Sequence, residues 1–191
     1  MTARGRLVVA ATLCALLAAC GGGDGDNAGL PEFKPPTAVT DTPGGLPTPT
    51  PTESFAQDDP VDAYRGFMQA VQIAAGTGDP DYPGLTQYGE GDVLKYWRDR
   101  VGTLTKSDEV ILGPLHIKPG IETRGGDKAV ITDCTDDREW RRYSRQTGEP
   151  IAGKDPKPPL FVRAEVFRVK GLWKVRDIYD FGRGKGPCAG T

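Results

Sequence analysis

The side chain best suited to chemistry in this 191-residue chain is the carboxylate of Asp177, inside a predicted strand over residues 172–181. Side chains alternate between the two faces of a strand, so one face should carry Asp177 together with aromatic neighbours. A carboxyl group among apolar side chains is desolvated, which raises its pKa and suits it to act as a general base or a hydrogen-bond donor. The pattern therefore defines a candidate pocket or catalytic set of three residues, Asp177, Tyr179 and Trp173.

A structural role for Asp177 remains open beside the catalytic one. Arg163 and Arg168 lie in a second predicted strand over residues 160–169, and either arginine could pair with the carboxylate. An ion pair would hold Asp177 in its charged form and lower its pKa, which would argue against a catalytic base.

Three further carboxylates, Asp133, Asp136 and Asp137, lie close together after a predicted hairpin. Several carboxylates suit a hard cation such as calcium, but this group lacks the ligand spacing and turn glycine of a calcium-binding loop. A capped turn explains the cluster as well, so we expect no metal site. His116 is the only histidine, and the chain has neither a Gly-x-Ser-x-Gly motif nor a glycine-rich phosphate loop, so we also expect no cofactor.

Aromatic residues outside the last strand could either line a pocket or form core. The helical spacing of Tyr64 with Phe67 and Met68 favours core for that residue. The four aromatic residues concerned are Tyr64, Tyr96, Trp97 and Trp140.

Charge is divided unevenly along the chain, although its net charge is only −2. Residues 53–137 carry 16 acidic and 8 basic side chains, whereas residues 138–185 carry 6 acidic and 13 basic ones. A basic sheet edge could approach anionic wall polymers or lipid headgroups, or the two halves could offset each other within one fold. The basic residues include four close together, Arg138, Arg141, Arg142 and Arg145; a nearly neutral chain gives no sign of nucleic-acid binding.

The elements that must position these residues fall into a helical half and a strand half. Asp59 can cap a helix that begins at Pro60 and ends near Gly76, and a second helix is predicted over residues 92–101, with a short one between them around Leu85. Strands are predicted over residues 109–118, 128–134, 140–144, 160–169 and 172–181, with a hairpin turn at 124–127. This order predicts an α+β fold with two or three N-terminal helices packed on a curved antiparallel sheet of five or six strands.

The first nineteen residues have the order of an export signal. Arg4 and Arg6 precede an apolar run over residues 7–17, which is too short to span a bilayer. The box that follows, Leu17-Ala18-Ala19-Cys20, resembles the lipobox of bacterial lipoproteins. The resemblance implies cleavage before Cys20, acyl chains such as palmitate on that cysteine, and a position on the outer face of the cytoplasmic membrane.

The two cysteines that remain for the mature domain are Cys134 and Cys188, since Cys14 lies in the signal. Exported proteins fold in an oxidising compartment, so an even pair of cysteines is expected to form a disulfide. The bridge would tie the C-terminal tail to a strand.

A low-complexity segment rich in glycine, proline and threonine separates the signal from the domain. It predicts a disordered stalk over residues 20–57 and a single α+β domain over residues 58–191.

Short motifs in that domain are similar to those of a known group. They are Asp133-Cys134 with Asp136 and Trp140, then Thr147-Gly148, then Gly171-Leu172-Trp173-Lys174-Val175. Together with the order of helices and strands, they resemble exported lipoproteins of high-GC Gram-positive bacteria that carry a nuclear-transport-factor-2-like domain, related to ketosteroid isomerases and polyketide cyclases. The resemblance implies a cone-shaped fold with a pocket between sheet and helices, but one fold of this kind serves many functions.

Three hypotheses for function follow from these patterns. The leading one is a non-enzymatic surface lipoprotein that binds a partner protein or a small apolar ligand at the cell envelope. The second is an isomerase-like or cyclase-like enzyme with Asp177 as its base. The third is a dimerising structural module of an envelope assembly.

Replacement of Cys20 by alanine tests the lipid anchor. We expect the Cys20→Ala chain either to leave the detergent phase in a Triton X-114 partition or to remain unprocessed, because two or three acyl chains hold a protein firmly to a membrane at about 0.8 kcal/mol per buried CH₂. The chain with Cys14→Ala is the control, since its cysteine lies within the signal. Unchanged partitioning of Cys20→Ala would remove the anchor.

Overall fold

Three helices precede six strands in the part of the chain that the computed structural model describes, residues 45–153 and 157–189. The signal segment, Cys20 and the first part of the predicted stalk lie outside these residues. The elements are α1 (Pro60–Thr77), α2 (Pro83–Tyr88), α3 (Gly91–Lys106), β1 (Glu109–Leu112), β2 (Gly120–Gly125), β3 (Lys128–Thr135), β4 (Arg141–Ser144), β5 (Leu160–Val169), β6 (Leu172–Arg183) and a 3-10 turn (Gly186–Cys188). The predicted α+β class is confirmed. No helix among the described residues is long and apolar enough to cross a membrane.

Helix α1 begins as predicted and ends later than predicted. The Asp59 carboxylate accepts hydrogen bonds from the backbone N–H of Val61 at 2.8 Å and of Asp62, which caps the helix. The helix ends one residue after the predicted Gly76, at Thr77, and is capped by Gly78 in the left-handed region. Gly76 serves close packing instead: a Cβ there would lie 2.4 Å from Cγ of Pro49.

The six strands form two antiparallel sheets rather than the single sheet predicted. One sheet has the order β2-β3-β5-β6, and the other pairs β1 with β4. The separate pairing follows from the Gly113-Pro114 break after β1, where the Gly113 backbone has a φ of 98°. The predicted sheet of five or six strands is therefore replaced by one of four and one of two.

The core lies between α1 and the four-stranded sheet. Tyr64, Phe67 and Val71 of α1 are fully buried, at the helical spacing that the sequence showed. They pack against the inner face of the sheet, where alternate residues of β3, β5 and β6 are buried. Burial of each large apolar side chain contributes about 1.5–3 kcal/mol, so this layer holds the helix in place. The buried sheet residues of the cluster are Ala129, Ile131, Ala164, Val166, Trp173 and Val175.

Residues 45–57, which we call the strap, pack on the domain although the sequence assigned them to the stalk. Leu46 is buried with Val110 and Leu112. The carbonyl of Gln57 accepts a hydrogen bond from the Trp173 backbone N–H at 2.8 Å, and further side-chain bonds tie the strap to α1 and α2. The packed structure thus begins before residue 58, because apolar residues within the proline-rich run pack against buried residues of the domain.

The predicted disulfide is present between Cys134 of β3 and Cys188, whose Cα atoms are 5.5 Å apart. Cys188 is fully buried, in the short turn that follows β6. The bridge therefore ties the end of the chain to the second strand of the four-stranded sheet.

Loss of this disulfide should destabilise the domain. We expect the Cys134→Ser/Cys188→Ser chain to lose about 2–5 kcal/mol in the free energy of unfolding, because the unfolded chain would no longer be cross-linked. Urea denaturation monitored by far-UV circular dichroism measures the change. The wild-type chain in reductant should match the double variant; equal stability of all three samples would contradict the prediction.

Candidate functional site

A cavity of about 470 Å³ opens between helix α3 and the four-stranded sheet. Helix α1 supplies its inner end, and the segments that follow β1 and β3 close one side. Its size is in the range of small-molecule sites, and its wall is mainly apolar. The apolar lining residues are Met68, Val93, Tyr96, Trp97, Leu115, Trp140, Leu160, Val162 and Ile178, besides Tyr64 at the inner end.

Three aromatic rings follow one another along the wall. The ring centroids of Tyr96 and Trp97 are 5.4 Å apart in an edge-to-face arrangement, and those of Trp97 and Trp140 are 6.0 Å apart. Tyr96 is 60% exposed, which places it at the open end. The structure therefore supports pocket lining for these three residues and for Tyr64, which also belongs to the core.

A buried carboxylate lies beneath the cavity. Asp133 is only 2% exposed. It accepts hydrogen bonds from the Tyr64 hydroxyl at 3.0 Å, the Thr135 hydroxyl at 3.0 Å and the Lys118 backbone N–H. Tyr64 and Thr135 both reach the cavity wall, so this carboxylate fixes two of the polar groups there. Hydrogen bonding of this kind is what a buried charged group requires.

Burial sets the protonation of this network. Desolvation raises the pKa of Asp133, and hydrogen bonds from its three neighbours oppose the shift. Desolvation, and then the charge of Asp133, raise the pKa of Tyr64 well above its ordinary value of 10.0. Tyr64 therefore stays protonated and acts as a hydrogen-bond donor near neutral pH.

Four aspartates lie at the polar part of the wall, and no lysine, arginine or histidine lines the cavity among the described residues. Asp137 pairs with Arg183 at 2.6 Å, and Asp180 accepts the backbone N–H of Gly182. The other two, Asp92 and Asp177, have no hydrogen bond or ion pair with described side chains. Two of the four, Asp177 and Asp180, come from β6.

Of the predicted set of three, only Asp177 lines the cavity. Trp173 is fully buried in the core and Tyr179 is 48% exposed, away from the cavity wall. The three residues do not share one face of β6, because the pairing of β5 with β6 shifts by one residue. Glu165 pairs with Asp177, whereas the next residue, Val166, pairs with Val175. Beyond this bulge Ile178, and not Tyr179, packs against the core.

The predicted pairing of Asp177 with Arg163 or Arg168 is also not formed. Arg163 pairs with Glu122 at 2.8 Å, and Arg168 lies over the Trp173 ring at 5.0 Å. Desolvation raises the pKa of Asp177, and the nearby negative charges of Asp92 and Glu165 raise it further.

The three carboxylates that are close together in the sequence, Asp133, Asp136 and Asp137, have different surroundings in the structure. Asp133 is buried, Asp136 pairs with Arg138, and Asp137 pairs with Arg183. The Arg138 guanidinium lowers the pKa of Asp136 to about 2. No group of three metal-binding side chains is found in the described part of the chain. The His116 ring is exposed, with Nε2 3.4 Å from a carboxylate oxygen of Glu139.

The basic cluster is largely engaged within the fold. Arg138 bonds Asp136, Arg142 bonds Glu109 at 3.1 Å, and Arg145 donates to the carbonyl of Thr77. Arg141 donates to the Arg138 carbonyl at 2.9 Å. Acidic and basic segments thus offset each other here, which was one of the two alternatives.

Sequence reasoning missed Asp92 as a residue of the cavity wall. Val93, Tyr96 and Trp97 share one face at helical spacing, and Asp92 stands next to them in the first turn. The sequence left Tyr96 and Trp97 open between pocket lining and core, since an apolar helix face gives no indication of whether it meets a core or a cavity.

Comparisons with known proteins give distant structural likenesses, including two solved structures. No family model matches the chain, and no curated protein matches it. The intermembrane-space region of the chloroplast protein ARC6 superposes with a TM-score of 0.42 at 19% identity, over 64% of this chain and 95% of that one. A protein of unknown function with a cystatin-like fold from Nostoc punctiforme has a TM-score of 0.35 at 11% identity, over 62% of this chain and 86% of its own. At these values neither structure bears on what the chain does.

Removal of the Tyr64 hydroxyl should loosen the buried network. We expect Tyr64→Phe to lower the free energy of unfolding by about 1–3 kcal/mol, because the buried Asp133 carboxylate loses one of its three donors. Tyr143→Phe is the matched control, since that tyrosine packs against the buried group of Leu46, Val110 and Leu112 and not on Asp133. Equal losses in the two variants, measured by urea denaturation, would contradict the role given to the hydroxyl.

The raised pKa of Tyr64 also predicts how the free energy of unfolding depends on pH, in wild type and in Tyr64→Phe. Above pH 10 the unfolded chain releases the Tyr64 proton while the folded protein retains it, so wild-type stability falls as the pH rises towards the folded pKa. Tyr64→Phe lacks this contribution, and its stability should fall less between pH 9 and 11. Parallel curves for the variant and the wild type would contradict the raised pKa.

Proposed function

We propose that the chain is a cell-surface lipoprotein whose domain binds a small apolar ligand in the cavity beside α3. One observation carries the proposal: a cavity of about 470 Å³ with an aromatic and aliphatic wall lies between α3 and the four-stranded sheet. Small-molecule sites are concave and mostly apolar, and this volume is in their usual range.

The chemistry of the wall favours binding over packing alone. Trp97 and Trp140 offer ring surface to a ligand, and aromatic rings contribute much of the binding energy of small-molecule sites. The polar groups at the inner end, Tyr64 and Thr135, are already bonded to Asp133, so the ligand need not satisfy them. An apolar body is therefore the expected occupant.

The envelope location is part of the same proposal. The lipobox resemblance places acyl chains on Cys20, which would hold the domain at the outer face of the cytoplasmic membrane. The motif resemblance supports a nuclear-transport-factor-2-like arrangement of the sheet and helices around a pocket. A ligand at this site would be a small molecule of the envelope or one that crosses it.

An isomerase-like or cyclase-like enzyme is the second candidate. It is favoured by the position of Asp177, which lines the cavity, has a raised pKa and has no ion pair among the described residues. A base of that kind could remove a proton from a ligand held against the aromatic wall. The partner-protein and dimerising-module hypotheses do not use the cavity, and both predict that it stays empty.

Native mass spectrometry of residues 21–191, which contain every described element, tests the proposal. After incubation with a lipid and metabolite extract from the producing cells, we expect wild-type protein to retain a small molecule. Ile178→Trp should lose it, because the larger side chain fills the cavity. Ile121→Trp is the matched control, at an exposed position of the same sheet outside the cavity wall.

The outcomes separate the candidates. Retention by wild type and Ile121→Trp but not by Ile178→Trp supports the cavity as the site. A retained molecule that is altered by wild type and left intact by Asp177→Asn would favour the enzyme. A clean mass for all samples would reject cavity binding and direct the search to a protein partner.

A further inference from the structure

We propose that the ligand of this cavity carries a positive charge, so that the site takes a small organic ammonium ion with an apolar body. The inference rests on the function proposed above and adds the chemical class of the ligand. It follows from how aromatic rings and carboxylates share the cavity wall.

The charged residues of the wall are of one sign. Asp92, Asp137, Asp177 and Asp180 line the cavity, and no basic side chain among the described residues does. Only Asp137 has an ion pair, with Arg183. The wall therefore keeps a net negative charge, even when the ion pair of Asp137 with Arg183 is taken into account.

Nearby cations are held by other acids. Lys95, one turn from Asp92, pairs with Asp99 at 2.6 Å. Arg176, next to Asp177, pairs with Glu90 at 2.7 Å. Arg176 and Lys128 lower the pKa of Asp177 through their charge, but each forms its ion pair with another acid, so within the described residues neither Asp92 nor Asp177 has an ion pair of its own.

Asp92 lies in the first turn of α3, where the positive end of the helix dipole favours a negative charge. Both Asp92 and Asp177 line the cavity, and after desolvation the negative charge of Asp92 raises the pKa of Asp177. A bound cation would relieve this repulsion between the two carboxylates.

The aromatic residues of the wall are a second, independent feature that favours a cationic ligand. Tyr96, Trp97 and Trp140 form a continuous series of rings on the wall that also carries Asp92. Ring faces attract ammonium groups, and tryptophan does so most strongly. Aliphatic side chains deeper in the wall, Met68 and Leu115, suit the apolar remainder of the ligand.

Three probes with the same chain length test the charge: octyltrimethylammonium, octanol and octyl sulfate. Each is titrated into residues 21–191 below its micellar concentration, and tryptophan fluorescence reports binding. We expect octyltrimethylammonium to bind roughly tenfold more tightly than octanol, and octyl sulfate to bind most weakly. High salt should reduce the preference, since charge attraction is screened.

Matched variants locate the charge. Asp92→Asn/Asp177→Asn should bring the affinity for octyltrimethylammonium to that for octanol, because both carboxylate charges are removed. Asp99→Asn, which removes a carboxylate from the same helix outside the cavity wall, should keep the preference.

Each outcome has one meaning. If octanol or octyl sulfate binds as tightly as the ammonium probe, or if the double variant keeps the preference, the inferred charge is wrong while the apolar site stands. If no probe binds, the proposed function fails and this inference fails with it. Retained folding of the variants is checked by circular dichroism.

Discussion

The hydrogen bonds that converge on Asp133 are the interaction on which the rest of the site depends. They join a helix, a strand and the segment before β2 at one buried carboxylate, through Tyr64, Thr135 and the Lys118 backbone. A charge that is 2% exposed is stable only when such donors surround it, so the sequence must supply all three at once. The disulfide at Cys134 fixes the neighbouring position of the same strand. These contacts therefore hold together the inner end of the cavity, and α3 forms its outer side.

The carboxylates in and around the cavity differ in whether other groups of the protein bond to them. Asp133 is satisfied internally, whereas Asp136 and Asp137 are neutralised by Arg138 and Arg183. Asp92 and Asp177 differ from these, since no described side chain bonds to them although both line the cavity. The difference between a structural and a ligand-binding carboxylate thus follows from local pairing and not from residue type.

The sequence predicted those features that local rules decide. The cap at Asp59, the α+β class and the cysteine pair all follow from short-range patterns or from the count of residues. The face of β6 was mispredicted, because a bulge opposite Glu165 breaks the alternation on which the prediction relied. Such a bulge depends on pairing with another strand, which a single segment does not encode.

Long-range packing explains the remaining differences. The strap looked like disordered stalk, since its proline-rich composition has no periodicity, yet Leu46 and Phe55 are held by residues far along the chain. The sequence left Tyr96 and Trp97 open between pocket lining and core, and only the position of the sheet leaves a cavity beside them. Whether an apolar face meets other side chains or empty space is settled by the whole fold.

The central claim, that the cavity beside α3 is a ligand site, is tested most directly by the three tryptophan indole N–H signals in an NMR titration with octyltrimethylammonium. Trp97 and Trp140 line the cavity, whereas Trp173 is fully buried elsewhere and provides an internal control. Single Trp→Phe variants assign the signals. The account predicts saturable shifts of the Trp97 and Trp140 signals with the Trp173 signal unchanged. Shifts of Trp173 alone, equal shifts of all three signals, or no shift at all would contradict it.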